Sequence, residues 1–338
     1  MPARTAQQVI ARLQAQPPAL YHRGKRVADI TTEPGIKNGV HSLADLYDHQ
    51  WIHRDQSLYT SPTSGDPVSI TFQIPTTVAE LTAIGDAMQM RAAYTLGMMG
   101  RMPDHLNRAM MGYAGSADFL RVQGDHFAEN MRRYYEYLRE NDLCLTHTLV
   151  NPQNNRAVGM AKQADPFLAA RVKEETDAGI VVRGARMLAT LPISDEIMVY
   201  PSNQLRSQEE DAPYAFGFAI PNDTPGLKFQ CRETVDYGAS HHDHPLGSRY
   251  EELDAVVIFD DVFVPWDGSF CIAMWRSATR RTGRRAPCST WPITWSAKMW
   301  RRPNSYLASS RCWSSRLASA VFNMCRRRWP RSGSTWRR

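Results

Sequence analysis

The sequence predicts an α+β fold in which a helical half precedes a β-rich half. Before about residue 141, apolar residues recur at three- and four-residue spacing. After Asn151-Pro152, short β-branched and aromatic runs are separated by Gly, Pro, Asn and Asp. The two kinds of segment follow one another and do not alternate, which argues against βαβ units.

Each element has its own local signal. Residues 6–13, after Thr5, read as a short helix, and residues 42–51 as another with Ser42 as N-cap. Thr77-Val78-Ala79-Glu80 is a capping-box pattern that opens a long helix reaching about Met99. Its methionines (Met88, Met90, Met98, Met99) read as core filler. Residues 127–141 read as a further helix, with Tyr134, Tyr137 and Leu138 on one side. The β-rich runs are Val181-Val182 and residues 197–200, 214–220 and 256–264, and residues 207–213 read as an exposed loop. No G-x-G-x-x-G, G-x-x-x-x-G-K-[ST] or G-x-S-x-G occurs, which argues against a Rossmann nicotinamide site, a P-loop and a nucleophile elbow.

The composition is not uniform. Residues 268–338 hold 15 Arg and one Lys with no Asp or Glu, and seven of the nine Trp. The preceding residues hold 24 basic and 34 acidic side chains, so the pI near 9.0 belongs to the tail alone. The codons explain the tail. Lys298-Met299-Trp300-Arg301 requires AAR-ATG-TGG and an Arg codon. One base earlier, with CGN for Arg301, the same bases read Lys/Gln/Glu, Asn/Asp, Val, Ala. Met274-Trp275-Arg276 gives the same Val-Ala. Acid-free, Arg- and Trp-rich text is what a GC-rich gene yields out of frame, so residues 268–338 read as a frameshifted, disordered tail. A genuine RNA-binding arm is the alternative, because interleaved Arg and Trp can stack on bases, but the tail contains no ordered RNA-binding module.

Only Cys144 and Cys231 precede the tail, without ligand spacing, so no disulfide framework and no zinc site are expected. No run approaches a membrane helix and no apolar leader opens the chain, so a cytoplasmic protein is expected, without membrane or nucleic-acid partners.

Two segments could carry chemistry. Gly100-Arg101-Met102-Pro103-Asp104-His105-Leu106-Asn107 sets an Arg and a His beside a helix-breaking Pro. Arg can neutralise a phenolate or carboxylate, and His can exchange a hydrogen bond near neutral pH. The same spacing also fits a capped loop in which Asp104 satisfies backbone amides. Leu145-Thr146-His147-Thr148 and Asn151-Pro152-Gln153-Asn154-Asn155-Arg156 gather amides and hydroxyls suited to the polar edge of a heterocycle, and Arg156 could face a phosphate. An ordinary polar connector fits equally well. His241-His242-Asp243-His244 is too compact for all its side chains to face one ion, so it reads as a turn and no metal is expected.

These segments resemble the oxygenase component of two-component, flavin-dependent phenol hydroxylases, the 4-hydroxyphenylacetate 3-monooxygenase family. The resemblance covers about residues 5–270, with Met187-Leu-Ala-Thr-Leu191, Asp243-His-Pro-Leu246 and Asp260-Asp-Val-Phe-Val-Pro-Trp266 in matching order. It implies an acyl-CoA dehydrogenase-like fold: an N-terminal helical domain over residues 1–146, a central β-barrel over 147–267, and a C-terminal four-helix bundle that the out-of-frame tail replaces. It further implies ortho-hydroxylation of a phenol with O2 and with reduced, diffusible FAD from a separate reductase, by a homo-oligomer (a tetramer). Arg101, His105 and His147 are the implied catalytic and phenol-binding residues, joined by Ser202 and Asn203 at the substrate. His147, Thr148, Gln153, Asn154, Asn155, Arg156, Ala189, Thr190, Leu191 and Pro192 match the implied flavin-contacting positions. The chain departs from the family pattern at His105, where Tyr is common, and at Asn203, where Thr is usual. The rival readings are an acyl-CoA dehydratase-type flavoprotein of the same fold, which needs a Cys cluster this sequence lacks, and an inactive frameshifted product.

Overall fold

Two capping boxes start helices where the sequence predicts them. In this computed structural model, which describes residues 3–122, 124–202, 209–237 and 240–272, Thr5 and Gln8 satisfy each other's amides and open α1 (Ala6–Ala15). Thr77 and Glu80 do the same for α4 (Val78–Tyr94). Between them, α2 (Lys37–Ile52) begins earlier than expected. Ser42 lies inside it and is no cap; its hydroxyl donates to the Arg249 carbonyl. A single turn, α3 (Arg54–Ser57), follows. The expected extension of α4 to Met99 fails because Leu96 and Gly97 take left-handed backbone, with φ of 55° and 75°. Met99 is then buried, whereas Met98 is 44% exposed and fills no core. The segment read as a loop around Pro103 is α5 (Pro103–Gly115). Pro103 sits at the first helical position, where its missing N–H has no partner to lose. α6 (Asp125–Asn141) ends on Asp142 in the left-handed region.

The strands outnumber those legible in the sequence. They are β1 (Leu20–His22), β2 (Lys25–Arg26), β3 (Leu58–Thr60), β4 (Pro67–Ser69), β5 (Leu145–Thr148), β6 (Arg171–Glu175), β7 (Gly179–Thr190), β8 (Glu196–Val199), β9 (Phe216–Pro221), β10 (Leu227–Cys231), β11 (Asp254–Pro265) and β12 (Ser269–Ile272). One sheet runs β2-β1-β10-β11-β7-β6, a second runs β12-β9-β8-β5, and β3 and β4 form a separate ribbon. Residues 209–213, read as part of an exposed loop, and Tyr214, read as the start of a β-rich run, form a 3-10 turn that buries Asp211 and Tyr214.

The expected central β-barrel is not closed among the described residues. The two sheets face each other, and an isolated bridge between Val150 and Met187 is the tie from the end of β5 to β7. Register shifts between Ala255 and Val257 and between Phe259 and Val262 bend β11 against β7, so the ribbon curves without a ladder joining both edges. The space between is filled by aromatic rings: Phe216 stacks on Phe218 at 5.5 Å, and Phe218 meets Phe259 edge-on at 6.2 Å. The composition break after Asp267 precedes the last strand, since the β12 backbone pairs with β9. Of residues 268–338, read from the sequence as a frameshifted tail, 273–338 lie outside the described residues.

Close packing joins the helices to the sheets. A β-carbon at Gly39 on α2 would lie 2.2 Å from the Glu251 carbonyl oxygen. Gly39→Ala is therefore expected to cost about 1–3 kcal/mol through overpacking, seen as a lower urea midpoint with an unchanged slope. His241–His244 forms a turn in which His241 Nδ1 bonds Ser248 Oγ at 2.8 Å.

Candidate active site

The alternation of β5 decides which way its side chains point. Thr146 donates to the Thr190 carbonyl and Thr148 to the Met187 carbonyl at 3.1 Å, so both hydroxyls face the end of β7. His147, between them, points to the opposite face. There it meets α5, whose first turn carries His105, with the two rings 5.9 Å apart. Tyr200, just past β8, meets His147 edge-on at 6.0 Å, and Tyr113 of α5 lies 6.0 Å from Tyr200. The two tyrosines also share a hydrogen bond; Tyr200 is buried and Tyr113 half-buried. The result is an aromatic wall with two imidazoles at its open end.

Arg101 stands immediately before α5. Its backbone N–H donates to Glu252, and its Nε is buried without a partner among the described residues. Desolvation by the surrounding apolar walls, with the charge of Arg101 added, lowers His105 to about 4. Desolvation, then His105, then Arg101 lower His147 to about 4. His147 is the better shielded ring; His105 keeps an edge exposed at the mouth, where water offsets part of its desolvation. Both imidazoles are therefore neutral at pH 7, each with one donor and one acceptor nitrogen.

The depressed values have a consequence for stability. A group whose folded pKa lies below its unfolded 6.5 binds fewer protons when folded. The stability it contributes is complete above pH 6.5 and is lost as pH falls from 6.5 towards 4. His147→Gln is expected to flatten the acid limb of a stability–pH curve in that window while leaving pH 7–8 little changed. An acid limb of unchanged steepness would remove the assignment.

The structure brings Arg101, His105 and His147 together, and it adds Tyr113 and Tyr200, which the sequence reading passed over. A Tyr in a helix or strand carries the same sequence signal whether it fills a core or lines a site. The residues matched to flavin contacts fall into two groups. Ala189 and Thr190 end β7 beside β5; Ala189 is fully buried and Thr190 donates to Asp254 at 2.6 Å. Leu191 has φ of 67° and donates its N–H to the Glu252 carbonyl at 2.9 Å, and Pro192 is buried after it. Gln153, Asn154, Asn155 and Arg156 form an exposed polar ribbon after β5, in which Asn155 accepts the Ala157 amide at 3.0 Å. Ser202 is buried; Asn203 lies outside the described residues.

The donor set fits a heterocycle next to a phenol. The Arg101 Nε and Asn151 Nδ2 are buried donors without a partner among the described residues, and the exposed amides of Gln153 and Asn154 add paired donors and acceptors. Among the described residues no group of three His, Cys, Asp or Glu could hold a metal ion. No helix among them is long and apolar enough to cross a membrane.

Residues 5–271 match the family model described as 4-hydroxyphenylacetate 3-hydroxylase N terminal. The chain is 47% identical over 271 residues to the 4-hydroxyphenylacetate 3-monooxygenase oxygenase component of Geobacillus sp. (strain PA-9), covering 80% of this chain and 55% of that protein. It is 46% identical over 270 residues to the corresponding protein of Thermus thermophilus, again over 80% and 55%. The chain thus spans about half the length of the curated relatives it matches. A crystal structure of a 4-hydroxyphenylacetate 3-monooxygenase oxygenase component complexed with FAD and 4-hydroxyphenylacetate superimposes with a TM-score of 0.81 at 40% identity, over 95% of this chain and 63% of that one. An archaeal 4-hydroxybutyryl-CoA dehydratase superimposes with a TM-score of 0.72 at 19% identity over 94% of this chain and 68% of that one, a likeness of fold alone. The match from residue 5 to residue 271, with 47% and 46% identity to two curated oxygenase components, places this chain in the 4-hydroxyphenylacetate 3-hydroxylase family.

Proposed function

We propose that this chain carries the phenol and flavin sites of a two-component monooxygenase that hydroxylates a 4-hydroxyphenylacetate-like phenol ortho to its hydroxyl. The observation that carries the reading is Arg101 beside two neutral imidazoles at the open end of the Tyr200–Tyr113 wall. A phenol ring packs against that wall, and its oxygen meets His105, His147 and the guanidinium. A phenol loses its proton near pH 10 in water, and the positive charge of Arg101 favours the phenolate. Phenolate character enriches the ortho carbon in electrons. His147 and His105 orient the oxygen and pass its proton outward to water at the mouth.

FAD, when bound in its reduced form, supplies the activation of O2 that no side chain can provide. Thr148, Gln153, Asn154, Asn155, Arg156 and the 189–192 stretch would hold it, with His147 shared between cofactor and phenol. Ser202 and Asn203 complete the substrate side. The walls must also exclude water, since oxygen activated without a phenol in place ends as hydrogen peroxide. Reduced FAD comes from a separate reductase, in keeping with the missing nicotinamide-binding motif. From the family resemblance we assign residues 1–146 and 147–267 to a helical and a β domain of a homo-oligomer (a tetramer). The unpaired thiols of Cys144 and Cys231 suit the cytoplasm.

The test is to supply the chain with a flavin reductase, NADH, FAD, O2 and 4-hydroxyphenylacetate, and to quantify catechol against hydrogen peroxide. Catechol formation supports the reading. The composition break after Asp267 favours a second reading for the chain as written, an inactive product of a shifted frame. Peroxide alone from this chain, with catechol from its in-frame counterpart, selects that second reading.

A further inference from the structure

We infer that Glu252 is a positioning residue that holds the Arg101 backbone in register with the turn at Leu191. This rests on the reading above that Arg101 faces the phenol. The side chain of Glu252 accepts the Arg101 N–H on Oε1, and the Gly100 amide also bonds to the carboxylate. Its Oε2 lies 4.0 Å from where a β-carbon on Gly100 would be, so the carboxylate sits flat against that backbone. Its own carbonyl and that of Leu253 share the Leu191 N–H, each at 2.9 Å. One residue therefore grips the segment that presents the guanidinium with its side chain, and the 189–192 stretch with its main chain.

The neighbours of Glu252 keep it in place. Tyr250 OH donates to the Tyr94 carbonyl at 3.2 Å, at the end of α4. Glu251 accepts the Leu253 amide at 2.8 Å, and its carbonyl packs on Gly39. Leu253 takes φ of 53° and Leu191 φ of 67°, left-handed positions that surrounding bonds must hold. Residues 250–253 thus form a clasp between α2, the end of α4, the start of α5 and the end of β7. Among the described residues no other side chain anchors the amides of Gly100 and Arg101; Pro103 has no N–H, and the Arg101 Nη1 reaches the Gly100 carbonyl at 3.5 Å. A negative acceptor on two successive amides fixes where the guanidinium begins, without itself touching the phenol.

The experiment compares the full chain with Glu252→Ala, Glu252→Gln and Arg101→Ala by amide exchange and by titration with 4-hydroxyphenylacetate. Loss of a charged acceptor is expected to speed exchange at the Gly100 and Arg101 amides about tenfold or more in Glu252→Ala. The dissociation constant for the phenol should rise by about the same factor. Glu252→Gln, which keeps one carbonyl oxygen, should lie nearer the parent in both readouts. Unchanged exchange and affinity in Glu252→Ala overturn the inference. So does faster exchange spread evenly over β7 and β11 without rescue by Gln, which would make Glu252 a general stability residue. If Glu252→Ala does not fold, Glu252→Asp decides, because it withdraws the carboxylate by one methylene: faster exchange at residues 100–101 supports the inference and unchanged exchange overturns it. If Arg101→Ala binds the phenol as the parent does, the phenol-site reading fails, while the exchange result still judges Glu252.

Discussion

Arg101→Ala in the in-frame enzyme is expected to lower catechol formation by about 10²–10³-fold, the usual cost of removing one donor from a developing oxyanion. Oxygen uptake should continue and appear as hydrogen peroxide, because activation of O2 does not need the guanidinium. The physical case is local. The Arg101 Nε is buried and has no partner among the described residues, and its charge reaches both imidazoles. A cation at the mouth of the site with one buried, unused donor is placed to meet an anionic ligand, which the proposed function takes to be the phenolate. Arg101→Lys should recover part of the yield by restoring charge, but not all of it, since an ammonium cannot reproduce the planar fork. Catechol yield unchanged in Arg101→Ala would remove the assignment. Equal losses of oxygen uptake and catechol would move Arg101 to the flavin instead.

Asp195→Ala is expected to destabilise the protein by about 3–5 kcal/mol, measured as the shift of a urea or thermal transition. Asp195 is buried at the junction of the helical and β-rich halves. It accepts Arg4 Nη1 at 3.0 Å, Arg12 Nε at 3.0 Å and the Cys144 N–H at 2.6 Å. Its neighbour across the junction, Asp142, accepts the Arg4 amide at 3.0 Å and Gln50 Nε2 at 2.7 Å. Removing Asp195 leaves the Arg4 guanidinium, itself buried, with the Asp142 carbonyl and the Tyr47 hydroxyl but without its carboxylate. The uncompensated charge dominates the cost, so Asp195→Asn should lose less than Asp195→Ala. A loss below about 1 kcal/mol would show the pair to be solvent-screened, as exposed ion pairs are.

How far the sequence could be read depended on the range of the interaction. The capping boxes at Thr5 and Thr77 involve residues three apart; the box at Thr77 was legible, and at Thr5 the helix start was read but the partner Gln8 was not. Pro103 was legible as a breaker but not as a helix starter, because the same fixed φ serves both and only the following turn distinguishes them. β1, β2, β3, β4, β6, β10 and β12 escaped the reading. β1 and β2 are three and two residues long, and β6 is largely charged, so their pairing partners, not their own patterns, make them strands. The closed barrel expected from the resemblance is corrected to two separate sheets tied by an isolated bridge between Val150 and Met187, a pairing that no hydrophobic pattern reveals.

The sequence by itself determined the order of helical and β-rich halves, the identity of Arg101, His105 and His147 as the chemical candidates, and the break after Asp267. These depend on local propensity, on residue chemistry and on codons, all of which are carried by neighbouring positions. The tertiary structure alone decided that His105 and His147 face one another, that Tyr200 and Tyr113 wall their recess, and that Glu252 grips the Arg101 backbone. Those contacts join residues 42, 87 and 151 positions apart in the chain: His105 with His147, Tyr113 with Tyr200, and Arg101 with Glu252. Their partners are chosen by the parallel pairing of β5 with β8 and by the seating of α5 against them, and no local pattern in the chain encodes that choice.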